Sequence, residues 1–142
     1  MIDLGAHGMY LTYWFLGLPL AASSSFTVAH GAAANTDGVE DNAVTVMTCR
    51  DGAIAVNETG FVSDYSPQVM EVFGENGYVK MVNHKVIKCS AWTGGEEVEV
   101  PLVEASDSPI TQFVTGNILP GCGMTEAKHL THMMVCAYQN QK

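Results

Sequence analysis

The sequence predicts an α+β fold built on an open, predominantly antiparallel sheet. Helical patterns occur at both ends of the chain, and strand-like segments joined by short turns fill the middle. Turns this short exclude parallel pairing, which needs a crossover of about a dozen residues or more. With 142 residues, 47% of them hydrophobic, the chain can bury one core and is predicted to form one domain.

The first predicted element is a helix at the start of the chain. Asp3 and His7 are four residues apart, and Tyr10 and Trp14 continue the same helical stripe. Almost every other residue nearby is apolar, a pattern typical of a buried helix. The spacing of Asp3 and His7 lets a carboxylate and an imidazole act on one hydroxyl proton, but it equally allows the two side chains only to satisfy each other.

The middle of the chain is predicted to be an antiparallel meander that begins after Gly17 and Pro19 end the first helix. Glycine-containing turns at residues 51–52, 76–77 and 94–95 separate runs of β-branched and apolar residues. Residues 31–40 are small and polar, and predict a surface loop. The predicted strands are 21–29, 43–49, 53–59, 68–73, 78–82, 85–91 and 97–102.

Two helices are predicted at the end of the chain. Ser108 and Pro109 suit the start of a short helix that reaches Thr115. Thr125 can cap a longer helix that continues to about Tyr138. The residues predicted to face the core on this last helix are Ala127, Leu130, Met134, Ala137 and Tyr138.

The charge of the chain argues against nucleic acid as a partner. Six Lys and Arg against fifteen Asp and Glu give a net charge of −9, and nucleic-acid affinity rests largely on basic side chains. Residues 9–25 imitate a signal peptide, but residues 1–22 contain no Lys or Arg. Polar and helix-breaking residues also interrupt the ~20 apolar residues that a membrane span requires. We therefore expect a cytoplasmic protein.

The cysteines and histidines do not predict a metal site. The four cysteines form no C-x-x-C pair, and a chain of this size folds without disulfides, so we expect reduced thiols. His129, His132 and Cys136 share one face of the last helix, with Cys122 just upstream, but that face lies opposite the predicted core stripe. His30 and His84 are most simply surface residues in a loop and a turn.

The sequence shows no dinucleotide-binding loop. The segment Gly121-Cys122-Gly123-Met124 completes neither G-x-G-x-x-G nor G-x-x-x-x-G-K-[ST], and no βαβ unit surrounds it. We therefore predict no cofactor-binding residues in these 142 residues, and we expect the chain alone to bind neither NAD nor NADP.

Several short segments, in the same order along the chain, resemble the signature of the glucose-fructose oxidoreductase/inositol dehydrogenase/rhizopine-catabolism (Gfo/Idh/MocA) family. D-L-G-A-H at residues 3–7 is similar to its D-x-G-x-H motif, and W-F-L-G-L-P at 14–19 to its W-L-L-G-x-P. The other similar segments are 39–43 (V-E-D-N-A), 51–53 (D-G-A), 70–77 (M-E-V-F-G-E-N-G), 112–114 (Q-F-V) and the closing helix from 126 to 138.

This resemblance implies a fold and a function. Members of the family join a nucleotide-binding Rossmann domain to a C-terminal α+β domain like that of glyceraldehyde-3-phosphate dehydrogenase, with helices on one face of an open sheet. Residues 1–142 correspond to that C-terminal domain without its first strand, and the Rossmann domain is absent. Asp3 and His7 occupy the positions of the family's catalytic Asp and His. Tyr10 stands where many relatives have Asp, and the resemblance implies that it is a substrate-binding residue and that the polyol recognised differs. The third member of the set, a Lys, belongs to the absent domain.

Two functions of different classes remain open at this point. The first is the substrate-binding and oligomerisation domain of an NAD- or NADP-dependent oxidoreductase that acts on the secondary hydroxyl of a sugar or polyol. A homo-oligomer through the open sheet face, burying Val69 and Phe73, is expected with it. The second is a stand-alone, non-catalytic module that binds a small ligand or serves as a scaffold.

Overall fold

The computed structural model of the chain describes residues 3–28, 38–61, 65 and 68–140. It has two compact units, one formed by Met1–Asp64 and Pro109–Lys142 and the other by Tyr65–Ser108. The first unit contains α1 (Leu4–Leu16), β1 (Ala21–Thr27), β2 (Asn42–Thr48), β3 (Ile54–Gly60), α2 (Pro109–Thr115) and α3 (Met124–Gln139). The second contains β4 (Val69–Gly74), β5 (Gly77–Val82), β6 (Lys85–Ser90), a 3-10 turn (Ala91–Thr93) and β7 (Val98–Val100).

The first unit is a three-stranded antiparallel sheet, ordered β1-β2-β3, with α1 and α3 packed on one face. Helix α1 packs against β3, and α3 packs against β1. The central strand alternates as a one-sided sheet requires, with Thr45 and Met47 buried and Val44 and Val46 exposed. The residues of the core are Met9, Ala22, Ala43, Met47, Met133 and Ala137.

The second unit is a four-stranded antiparallel meander, ordered β4-β5-β6-β7. Gly77 opens β5 with φ +143°, and a Cβ there would come within 2.0 Å of the Cys89 carbonyl oxygen, so no larger residue fits. Asn83 and His84 form the next turn, both with positive φ (47° and 66°). His84 is exposed in this turn, as predicted.

An ion-pair cluster lies on one face of this meander. The Tyr78 hydroxyl donates to Glu97 Oε1 over 2.6 Å, and the Lys80 ammonium donates to the same oxygen. These two hydrogen bonds lower the pKa of Glu97, and the bond from Lys80 has the larger effect. The strand register places Phe73 opposite Tyr78, so the aromatic and charged side chains share a face.

The predicted α+β class with antiparallel strands is confirmed, and so are the seven strands and three helices, with shifts of a few residues at their ends. One expectation changes: the strands form two sheets, and the helices pack on the sheet that does not contain β4. Val44 and Val46 are exposed on the first sheet, and Val69 and Phe73 are exposed on β4 of the second. The predicted loop 31–40, the end of the strand predicted at 21–29, and His30 lie wholly or partly outside the described residues.

The burial predicted for helix α1 is wrong, and that predicted for α3 is confirmed in part. Helix α1 is not a buried helix, because only Gly5 and Met9 are buried, while Asp3, His7 and the residues from Trp14 to its end are exposed. On α3, Ala137 is buried and Leu130, Met134 and Tyr138 pack against the core, as predicted, but Ala127 is exposed and Met133 is buried as well. Neighbouring helical positions differ by only about 100° around the axis, so the pattern cannot decide between Met133 and Met134.

None of the helices in the described parts of the chain is both long and apolar enough to cross a lipid bilayer.

Candidate functional site

Helix α1 is held close to strand β3 by small residues. The Asn57 side chain, 9% exposed, donates from Nδ2 to the carbonyl oxygen of Gly5 over 2.9 Å. A Cβ on Gly8 would lie 2.0 Å from Asn57 Oδ1, so the helix can approach the strand this closely only with glycine at that position. This contact fixes which face of α1 points away from the sheet.

The face that points away carries Asp3 and His7. Asp3 is the N-cap residue of α1, but its carboxylate makes no capping hydrogen bond. His7 follows one turn later, and both residues are exposed. Among the described residues, neither side chain has a hydrogen-bond or ion-pair partner. The interpretation that the two side chains only satisfy each other therefore gains no support, and both groups are open to a ligand.

Tyr10, the third predicted site residue, is half-buried, and a turn close to the C-terminal helix contacts its hydroxyl. Its hydroxyl donates to the carbonyl oxygen of Gly121, and the Sγ of Cys122 lies 3.7 Å from the same hydroxyl. Burial, followed by the interaction with Cys122, raises the pKa of Tyr10 to about 12. The phenol therefore stays protonated, and remains a donor, throughout the physiological pH range.

A second tyrosine joins α1 to α3. The Tyr13 hydroxyl lies 3.1 Å from His129 Nδ1, and the two rings meet edge to face with centroids 5.3 Å apart. His129 is thus half-buried between two helices, and the prediction that it lies on a solvated face is wrong. Tyr13 and His129 are separated by 116 residues, so no local pattern reveals this pair.

The four residues considered for a metal lie in different surroundings. His129 faces Tyr13, Cys122 lies beside Tyr10, and His132 and Cys136 form a separate pair with Sγ 3.8 Å from Nε2. Within the described ranges, no three His, Cys, Asp or Glu side chains come close enough together to hold a metal ion.

The glycine-containing segment before α3 does not suit a phosphate. Gly123 is the N-cap of α3, and its N–H donates to Glu126 Oε2 over 2.9 Å. The Glu126 carboxylate already occupies this helix N-terminus, and its negative charge would repel a phosphate there. This segment therefore does not fit the phosphates of a nicotinamide dinucleotide.

Sequence reasoning missed Gly8, Asn57, Gly121 and Cys122 as residues that shape the site. One signal was available: Gly5 and Gly8 are costly inside a helix, by about 1 kcal/mol each relative to alanine, which indicates that close packing requires them. The partners of these glycines were not visible, because they are about 50 residues away in the sequence.

Comparison with known proteins relates this arrangement to one family. Residues 1–80 match the sequence profile described as the GFO/IDH/MocA C-terminal domain. No curated protein matches the chain by sequence.

Solved structures with the same fold include several named as oxidoreductases. One is an oxidoreductase from Thermotoga maritima, with a TM-score of 0.81 and 17% identity over 96% of this chain and 42% of that chain. A UDP-N-acetylglucosamine 3-dehydrogenase from Acidithiobacillus ferrooxidans has a TM-score of 0.80 and 16% identity over 98% and 46%. A variant 3-ketoreductase from Actinomadura kijaniata, in complex with TDP-benzene and NADP, has a TM-score of 0.73 and 16% identity over 99% and 46%. The chain thus spans less than half the length of each of these three proteins.

Proposed function

The chain belongs to the family of GFO/IDH/MocA C-terminal domains, and we propose that it is the substrate-binding and oligomerisation domain of a nicotinamide-dependent oxidoreductase. In this proposal the oxidoreductase acts on the secondary hydroxyl of a sugar or polyol. The observation that carries this proposal is the exposed stripe of α1, where Asp3 and His7 lie one helical turn apart with both side chains open.

The proton chemistry of alcohol oxidation suits these two side chains. Oxidising a secondary alcohol removes the hydroxyl proton as well as a hydride, and an imidazole that titrates near neutral pH can accept that proton. In this proposal His7 is the general base, and Asp3 orients the imidazole and the substrate. Tyr10 offers its ring to the sugar from the next turn of the same stripe.

The nicotinamide cofactor is bound by another part of the polypeptide in this proposal. This is supported by the segment before α3, where Glu126 occupies the glycine-rich helix N-terminus. Two of the structural neighbours support the choice of cofactor and substrate: one was solved with NADP, and another is a dehydrogenase of a nucleotide sugar. We place this activity in the cytoplasm, because the chain is large and apolar enough to fold without disulfides.

Residues 1–142 alone are expected to bind neither NAD(H) nor NADP(H) and to oxidise no sugar. A polypeptide that joins them to the Rossmann domain expected upstream should do both. Isothermal calorimetry with each cofactor, and absorbance of reduced nicotinamide with a panel of sugars and nucleotide sugars, measure the two activities. Micromolar cofactor binding by residues 1–142 alone would contradict the prediction. If the encoding gene carries no Rossmann domain, the non-catalytic binding or scaffold module becomes the better interpretation.

The oligomer is expected to form through an open sheet face, and Phe73→Asp tests the face that the sequence predicts. Val69 and Phe73 are 51% and 72% exposed, enough to contribute to an apolar interface. Light scattering should show a dimer or larger assembly for the unaltered protein and a smaller species for Phe73→Asp. Val56→Asp is the matched variant, because Val56 is 66% exposed on the three-stranded sheet. If only Val56→Asp dissociates the oligomer, the interface lies on the three-stranded sheet and not on β4. If the unaltered protein is a monomer, neither face forms an interface.

A further inference from the structure

A turn formed by Gly121 and Cys122 lies against the exposed stripe of α1. The Tyr10 hydroxyl donates to the Gly121 carbonyl oxygen, and Gly121 has φ +88°. A Cβ on Gly121 would lie 3.5 Å from Trp14 Cδ1 and 3.6 Å from the Tyr10 hydroxyl oxygen. The turn therefore sits between two side chains of the stripe that carries Asp3 and His7.

Hydrogen bonds between neighbours in the sequence also hold this turn. The Cys122 N–H donates to the Leu119 carbonyl oxygen over 3.1 Å, and the Gly123 N–H donates to Glu126. These bonds fix the backbone on both sides of Cys122, whose side chain is exposed. The turn thus presents a thiol at a defined place beside Tyr10.

This place is close to the proposed proton acceptor. Tyr10 follows His7 by three residues, so their Cβ atoms are neighbours on the helix surface, about 5–6 Å apart. When the reacting hydroxyl of a sugar contacts His7, the rest of the sugar ring lies over the neighbouring surface of the helix. The adjacent surface, formed by the Tyr10 ring, the exposed Trp14 ring and the Cys122 thiol, lies within reach of that ring.

We propose that Tyr10 is a positioning residue which holds the Gly121–Cys122 turn as one wall of the sugar site, and that Cys122 is a specificity-determining residue in that wall. The proposal rests on the proposed function and deepens it. A thiol is small and only weakly polar, and the Trp14 ring lies beside the adjoining Gly121, so the wall favours a C–H-rich part of the substrate such as a deoxy position or the methyl of an N-acetyl group. The Glu126 carboxylate, which accepts from the Gly123 N–H next to Cys122, disfavours a carboxylate on the part of the sugar that meets this wall.

Amide hydrogen exchange of the segment 117–123 tests the positioning role. Tyr10→Phe removes the hydroxyl that holds Gly121, and is expected to speed exchange in this segment about fivefold, the effect of losing one ordinary hydrogen bond. Tyr13→Phe is the matched control, because its hydroxyl meets His129 and not the turn. Equal exchange in the two variants, or no change in Tyr10→Phe, would overturn the role of Tyr10.

Protection of Cys122 from alkylation tests the site itself in the assembled enzyme. Iodoacetamide labelling, followed by mass spectrometry of the peptides, is measured with and without the best sugar substrate from the activity panel. We expect the sugar to slow labelling of Cys122 at least tenfold and to leave Cys136 unchanged. Cys49 is buried, and burial raises the pKa of its thiol, so its lack of labelling confirms that the protein is folded.

The outcomes separate this proposal from the proposed function. Tyr10→Phe should raise the KM for the sugar by a larger factor than it lowers kcat, a split that a merely structural role would not produce. If the enzyme turns over a sugar that leaves Cys122 unprotected, the wall is wrong and the proposed function stands. If no sugar is oxidised and none protects Cys122, both the wall and the proposed function fail, even where the exchange experiment supports the Tyr10 contact.

Discussion

Replacing His7 with alanine in the complete enzyme is expected to lower kcat by about 10²–10⁴-fold, the usual contribution of a general base. The imidazole is exposed and makes no contact that the fold depends on among the described residues, so the variant should fold normally. The measurement is steady-state turnover with the best sugar, accompanied by circular dichroism and a thermal melt. A normal melt together with a large loss of kcat is the expected combination.

Two further variants make this result specific. Asp3→Asn keeps the size of the side chain and removes its charge, so it should lower kcat less than His7→Ala does. His132→Ala, an exposed histidine on α3, is the matched control and should leave kcat unchanged. If His7→Ala and Asp3→Asn both turn over at the unaltered rate, the catalytic assignment is wrong.

Replacing Gly8 with alanine is expected to destabilise the fold by on the order of 2 kcal/mol, although alanine favours a helix by up to about 1 kcal/mol. The added Cβ would lie 2.0 Å from Asn57 Oδ1, so the buried amide must move. That movement breaks the bond from Asn57 to the Gly5 carbonyl oxygen and leaves buried polar groups without partners, which costs about 1–3 kcal/mol. Thermal or urea unfolding measures the loss.

A double-mutant cycle identifies the cause. Asn57→Ala alone loses the hydrogen bond to Gly5 and leaves a cavity, but it also makes room beside position 8. The double variant Gly8→Ala/Asn57→Ala should therefore be less destabilised than the sum of the two single variants, by about 1 kcal/mol or more. Simple additivity would show that the close approach of α1 to β3 does not determine the effect.

The sequence by itself determined the elements of this protein and their order. Strand ends and turns follow from local chemistry: Gly52 and Gly77 adopt positive φ, and Pro109 begins α2 as predicted. Short connections fixed antiparallel pairing, which the registers of both sheets confirm. The ordered motifs identified the family, because they depend on residue types and spacing alone.

The tertiary structure alone decided which side of each element is covered. The pattern of α1 is apolar nearly all round, so it predicted burial, whereas packing on β3 covers only the side of Gly5 and Met9. The exposure of Asp3 and His7 follows from that packing. The division of the strands into two sheets likewise depends on which distant segments pair, and no periodicity in the sequence contains that information.

The contacts around the candidate site also could not be predicted from local sequence. Asp3 and His7 could be selected because their interaction distance is one helical turn, which sequence spacing reports directly. The contacts of Tyr10 with Gly121 and of Tyr13 with His129 join residues more than 100 positions apart. Such contacts arise only when α1 and α3 pack together in the first unit, and the chain's local propensities carry no record of them.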